Sequence, residues 1–146
     1  MYSVPAFKDD NQIRRGRGKG GLCQIWPKSL DHLVSRIPVK VSNRVQGSLI
    51  QLPSASRVLW INCYCPCDPG TANFDDGELQ ETLAGVQWLM ENTAHDHVLW
   101  NGDLNADFRR NTAFVNIVTE FIENRRLKNA WNKFHVDFTH LSLIHI

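Results

Sequence analysis

The chain has 146 residues, 42% hydrophobic and 21% charged, which suits one globular domain around a single core and is too little for two. No apolar run approaches the roughly 18–20 residues that cross a bilayer, and the opening MYSVPAFKDD lacks the apolar stretch of a secretory signal, so neither a membrane nor an exported role is expected. The net charge of +1 hides an asymmetry: through Arg44 there are nine Lys and Arg against three Asp and Glu, and beyond it seven against twelve. The first segment is a candidate polyanion contact and the remainder a candidate reservoir of metal ligands, or both are solvated surface.

Residues 1–15 are polar and irregular. GRGKGG (16–21) leads into LCQIW (22–26), a run of strand character. RIPVKV (36–41), RVQGSLIQL (44–52) and RVLWINCY (57–64) follow, separated by the turn-prone VSN and PSAS, and read as successive antiparallel strands. After Pro69 the period changes. Asp75 stands three residues before Glu78, resembling a capping box, and Leu79, Leu83, Val86 and Met90 recur at helical spacing, which predicts an amphipathic helix over 77–92 packed on a sheet. HVLW (97–100) reads as a buried strand that stops at NGD and carries Asp103 at its end. Asn111 or Thr112 can cap a second helix with Phe114, Val118, Phe121 and Ile122 inward and ENRR as a basic last turn. Strands, then helix, strand and helix, suit an α/β sandwich with outer helices.

Several motifs compete for the chemistry. Gly16, Gly18 and Gly21 satisfy G-x-G-x-x-G, but the run opens a strand rather than a helix, and a dinucleotide loop needs the reverse. Arg14, Arg15, Arg17 and Lys19 beside those glycines could lie along phosphates or form an exposed turn. The cysteines at 63, 65 and 67 alternate along one strand end, where they are badly placed to bridge one another. They also lack the distant second pair of a zinc site, so reduced thiols are expected. NGDLNAD (101–107) places the carboxylate of Asp103 and the carboxamide of Asn105 where a strand ends. The first can orient or deprotonate a water and the second can hydrogen-bond a phosphate oxygen without adding charge. G-D-x-N alone is a common turn. Its weight comes from NCYCP, in which Asn62, Tyr64 and Pro66 close a second apolar strand, because two such strand ends can lie side by side in one sheet.

This pairing resembles the endonuclease/exonuclease/phosphatase superfamily, which includes deoxyribonuclease I, the abasic-site endonucleases and the endonuclease domains of non-LTR (LINE-type) retrotransposons. The retrotransposon branch is the nearer likeness. GRGKGGLCQIW resembles its GR-x-x-GGL strand, NCYCPCDP its N-x-Y-x-P-x-D segment, and VDFTH (136–140) its D-F-T-H. The likeness runs from about Arg15 to His140 and implies a partial domain over 1–140, with LSLIHI (141–146) either foreign sequence or a divergent terminus.

The fold that the resemblance implies is a four-layered α/β sandwich of the deoxyribonuclease I-like type, incomplete at both ends. The activity it implies is Mg²⁺-dependent hydrolysis of a DNA phosphodiester, with Mn²⁺ as the alternative ion, nicking target DNA for reverse transcription. Asp103 would orient and deprotonate the water, Asn105 would hold a phosphate oxygen, and Tyr64 would orient the phosphate or support its transition-state charge; Asn62, Pro66 and Gly102 would support them. The implied partners are DNA and a reverse transcriptase domain of the same nuclear parent.

Two elements of the family pattern have no counterpart. No metal-binding Glu precedes Gly16, which leaves Asp103 as the candidate ligand, and no Asp or Ser-Asp-His motif follows D-F-T-H. LQET (79–82) imitates the segment around that Glu, but between NCYCP and GDLN and inside a helix, so Glu81 is expected on the helix surface. His140 and His145 lack the preceding Asp of a catalytic histidine. The chain by itself is therefore expected not to cut. The alternatives are a phosphatase or phosphodiesterase of the same superfamily, and a non-catalytic nucleic-acid-binding remnant using the four basic residues at 14–19.

Overall fold

A computed structural model describes residues 2–4, 21–39, 42–71 and 74–128. Arg14, Arg15, Arg17, Lys19, the D-F-T-H segment and the tail 141–146 lie outside them. The described elements run β1 (Tyr2–Val4), β2 (Leu22–Gln24), a 3-10 helix (Lys28–Leu33), β3 (Val34–Ile37), β4 (Val45–Gln51), β5 (Arg57–Tyr64), α1 (Gly77–Asn92), β6 (His97–Asp103) and α2 (Ala113–Asn124). The fold is mixed α/β. Among the described residues β1 and β2 form an antiparallel ribbon, and a second sheet runs in the order β3-β4-β5-β6.

Three strands joined by short turns pair antiparallel, β3 with β4 and β4 with β5, as the alternation of strand runs and turns predicts. β6 then pairs parallel with β5. That switch needs a crossover long enough to return the chain to the same end of the sheet, and α1 supplies it.

The two faces of the sheet differ in chemistry. Val45, Leu59, Ile61 and Cys63 point to one face and are buried with Leu79, Leu83, Val86 and Leu89 of α1 and Phe114, Val118 and Phe121 of α2. Trp100 meets Phe121 edge-on at 5.5 Å between centroids, and Phe114 leans on Phe74 at 5.9 Å. α1 lies close because β4 offers it a glycine: a Cβ on Gly47 would stand 2.6 Å from Leu89 Cδ2. The opposite face is polar. Ser48 Oγ donates to Gln24 Oε1 at 2.7 Å, Gln24 Nε2 donates to the Trp60 carbonyl at 3.1 Å, and Asn62 Nδ2 reaches the Cys23 carbonyl at 3.4 Å. β2 is thereby held across this face, with Trp26 edge-on to Trp60 at 6.4 Å.

Four expectations need correction. The strand expected at 36–41 begins earlier and stops at Ile37, because Pro38 has no N–H to continue a ladder. LCQIW is a strand only to Gln24, and Ile25 is exposed. HVLW is not buried on both faces. Val98 and Trp100 pack under the helices while Leu99 on the other face is 50% exposed, since β6 is an edge of the described sheet and its second face is uncovered among the described residues. The helix termini also differ. At α1 the capping box does not form, because Glu78 turns to Arg44 and Asp75 Oδ1 instead accepts from the Gly77 amide at 3.0 Å. α2 is capped by Thr112 as expected, but it ends at Asn124, and Arg125 folds back over the Phe121 ring and donates to Gln87.

Asp96 closes the end of the β5–β6 pair remote from Asp103: its Oδ2 accepts the Arg57 amide at 2.8 Å, and its own amide donates to the Arg57 carbonyl at 3.0 Å. The Arg57 amide, and then its guanidinium, hold the Asp96 carboxyl below the ordinary carboxylate range. A depressed folded-state pKa contributes stability above the unfolded value and loses it as pH falls through the folded one. Asp96→Asn is therefore expected to flatten the acid limb of a pH–stability profile below about pH 4 while leaving the slope near neutrality unchanged, as urea unfolding across pH can establish.

Candidate active site at two strand ends

The β5–β6 register pairs Asn62 with Asn101, Cys63 with Gly102 and Tyr64 with Asp103. NCYCP and GDLN, forty residues apart in sequence, thus end side by side, as their strand-end positions predict. Asp103 and Tyr64 lie on the polar face, one interstrand spacing of about 4.8 Å apart along the hydrogen-bonding direction.

Gly102 makes this approach possible. Its φ is +130°, and a Cβ there would overlap the Cys63 carbonyl oxygen and stand 2.7 Å from the Cys63 nitrogen. Only a residue without a side chain fits that close approach in that backbone region. Beyond it three hydrogen bonds form a clasp. The Cys65 amide donates to the Asp103 carbonyl at 2.8 Å, Asn105 Nδ2 donates to the Cys65 carbonyl at 2.8 Å, and the Asn105 amide donates to Asp103 Oδ1 at 3.1 Å. Asn105 sits at φ +49°, a left-handed conformation that asparagine tolerates better than other side chains.

Each candidate residue now has a place. The Asp103 carboxylate is exposed, with one oxygen oriented by the Asn105 amide. Asn105 spends one amide hydrogen on the Cys65 carbonyl, so it braces the strand ends, and among the described residues no hydrogen bond uses its second side-chain N–H or its amide oxygen. Tyr64 is half-buried. Asn62 reaches from β5 to the Cys23 carbonyl of β2. Pro66 follows the last amide that the clasp uses, where its missing N–H costs nothing. Asp68 accepts from the Gly70 amide and from Thr112 Oγ1 at 2.9 Å, coupling the loop after NCYCP to the start of α2.

The cysteines are thiols. Cys63 and Cys65 are buried, and Cys23 and Cys67 are exposed. Trp100 Nε1 donates to Cys63 Sγ at 3.0 Å, and the hydrogen bond to Cys63 together with burial pushes the Cys65 thiol far up. Cys65 is thus a packing residue and is not poised as a thiolate nucleophile.

Arg44 belongs to none of the motifs read from the sequence. Its side chain is only 10% exposed. One guanidinium nitrogen meets Glu78 Oε2 at 2.8 Å, the other reaches the Tyr64 carbonyl at 3.4 Å, and the group lies 5.5 Å from the centre of the Tyr64 ring. The Arg44 carbonyl accepts the Tyr64 amide at 3.0 Å. This cation holds Tyr64 from its backbone and its ring together, and links it through Glu78 to the first turn of α1. A readable signal does exist: a charged residue at the head of an apolar strand run, directly opposite the strand that carries Tyr64.

Among the described residues there is no group of three or more His, Cys, Asp and Glu arranged to hold a metal, and no helix is long and apolar enough to cross a membrane. An open cavity of about 330 Å³ lies elsewhere, between the ends of α1 and α2 and lined by Gln87, Met90, His95 and Arg125. It adjoins none of the strand-end residues. Oxygen donors such as the Asp103 carboxylate and the Asn105 amide oxygen suit a hard cation such as Mg²⁺, which commonly takes one or two carboxylates and completes its shell with water and substrate phosphate. No protein-family model, curated protein or solved structure matches the chain.

Gly102→Ala is expected to cost about 3 kcal/mol or more, since it combines an unfavourable φ with a backbone overlap that no rotamer relieves. Chemical denaturation of the two proteins measures it, and a loss under about 0.5 kcal/mol, the range of an ordinary surface substitution, would show that the close approach is not needed.

Proposed function

We propose that this chain is part of a Mg²⁺-dependent DNA endonuclease of the retrotransposon type, and that the paired ends of β5 and β6 form one half of its hydrolytic site. The observation that carries the reading is the register pairing of Tyr64 with Asp103, closed by the Asn105 clasp. It brings a carboxylate, a carboxamide and a phenol to one sheet end, and these are the groups that positioning and charge stabilisation at a phosphate require.

In this reading Asp103 orients the attacking water and accepts its proton. Asn105 donates its remaining amide hydrogen to a phosphate oxygen, and Tyr64, braced by Arg44, directs its hydroxyl to the same phosphate. Asp103, with the substrate, would hold Mg²⁺, which would supply Lewis-acid polarisation of the phosphate. The proposed architecture is the four-layered α/β sandwich. Helices on the apolar face of the sheet and strand β2 across its polar face support it, since a sandwich places its second sheet on that side.

The sequence contains neither the Glu motif before Gly16 nor a Ser-Asp-His motif after D-F-T-H, so this chain alone is not expected to nick DNA. The proposed parent acts in the nucleus, with DNA as substrate and a reverse transcriptase domain as its covalent partner.

A chimera tests the reading. With the Glu-bearing and Ser-Asp-His-bearing segments of an intact retrotransposon endonuclease joined to this chain, supercoiled plasmid should be nicked in Mg²⁺. Asp103→Ala should reduce the rate by about 100-fold or more, and Tyr64→Phe by about 10-fold. A folded chimera that nicks equally well with Asp103→Ala would refute the assignment.

A further inference from the structure

Beyond Asn105, the loop between β6 and α2 takes no part in the proposed hydrolytic site. Immediately after the Asn105 clasp come Asp107, Phe108, Arg109 and Arg110 in a hydrogen-bonded turn, with the Arg110 amide donating to the Asp107 carbonyl at 2.8 Å. Phe108 at the tip is 47% exposed, while the side chains of Arg109 and Arg110 are 81% and 63% exposed. Asp107 gathers both guanidinium groups, at 3.0 Å from Arg109 Nε and 3.5 Å from Arg110 Nε. Arg109 meets Asp107 as a fork, its Nη2 also donating to Oδ2 at 3.5 Å, whereas Arg110 approaches through Nε, and both side chains stay largely in solvent.

A single half-exposed aromatic ring is ordinary on a protein surface, and its neighbours are what set Phe108 apart. Two arginines beside it narrow the choice. An exposed aromatic ring adjoining exposed guanidinium groups is a combination that grips a nucleic-acid strand, with ring against base or sugar and arginines on phosphates. A protein partner would favour a wider apolar patch, and no second large hydrophobic residue of this loop is exposed among the described residues. Placement adds to this. The loop leaves the sheet at Asn105, is fixed there by the Asn105–Cys65 hydrogen bond, and reaches the α2 cap at Thr112, itself tied to Asp68. It stands beside the proposed scissile phosphate on a rigid mount.

We infer that the Asp107–Arg110 loop is a strand-holding element, with Arg109 and Arg110 contacting phosphates that flank the one to be cut and Phe108 packing on an adjacent base. The inference rests on the endonuclease reading for its geometry, but its test is independent of cleavage.

Binding of a fluorescein-labelled DNA oligonucleotide to this chain is measured by anisotropy in EDTA, single-stranded and duplex, over a range of salt. Arg109→Gln with Arg110→Gln should lower the slope of log affinity against log salt by about 1.5 to 2. Phe108→Ala should weaken binding about tenfold at constant slope. Arg109→Lys with Arg110→Lys should restore the slope, which separates charge from any change in the fold. Unchanged affinity and slope in the Gln and Ala variants would overturn the inference, whether binding is absent or is carried by Arg14, Arg15, Arg17 and Lys19. Loss of nicking by the chimera with this binding intact would instead count against the hydrolytic reading alone.

Discussion

The contact on which the rest depends is the approach of Gly102 to the Cys63 backbone. Parallel strands can pair along their length and still splay at their ends, where the chain must leave in different directions. Here the end stays closed because residue 102 adopts a φ of +130° and presents no side chain to the Cys63 carbonyl. From that closure the Cys65–Asp103 hydrogen bond follows, then the Asn105 clasp, and then the direction in which the Asp107–Arg110 loop departs. One glycine thus decides whether Tyr64 and Asp103 end side by side or splay apart.

The apolar and polar faces of the sheet serve different ends. Leu59, Ile61 and Cys63 anchor β5 against α1 and leave little freedom to shift, because a slip of one residue would turn Asn62 and Tyr64 into the core. The polar face therefore inherits its precision from the apolar one. Arg44 adds a second constraint, since burying a guanidinium is tolerable only with a carboxylate and acceptors around it, and these are Glu78 and the Tyr64 carbonyl. That requirement fixes the start of α1, the head of β4 and the end of β5 relative to one another.

Much of this was legible in the sequence, for physical reasons. Period-2 runs and turn residues located β4 and β5, the 3.6 period located α1 to the residue, and the adjacency of NCYCP and GDLN followed from both being strand ends. What escaped was set by tertiary context. Whether Glu78 caps its own helix or pairs with Arg44 depends on an arginine thirty-four positions away. Whether HVLW is covered on one face or two depends on which layers lie beside it, and a short apolar run reads alike in both cases. Arg44 and Phe108 belong to no motif, and their significance lies in exposure and neighbours. The basic segment at 14–19 contributes to the reading by its charge and by resemblance, and D-F-T-H by resemblance alone.

The central claim is that the ends of β5 and β6 form a metal-assisted phosphate site. The most direct measurement is paramagnetic broadening of backbone amide signals by substoichiometric Mn²⁺ in the presence of a short DNA strand, which detects a weakly held ion by proximity. The account predicts broadening centred on Tyr64, Cys65 and residues 103–105, abolished by Asp103→Asn. Broadening centred instead on Asp75, Asp76 and Glu78, with the strand-end amides sharp, would contradict it.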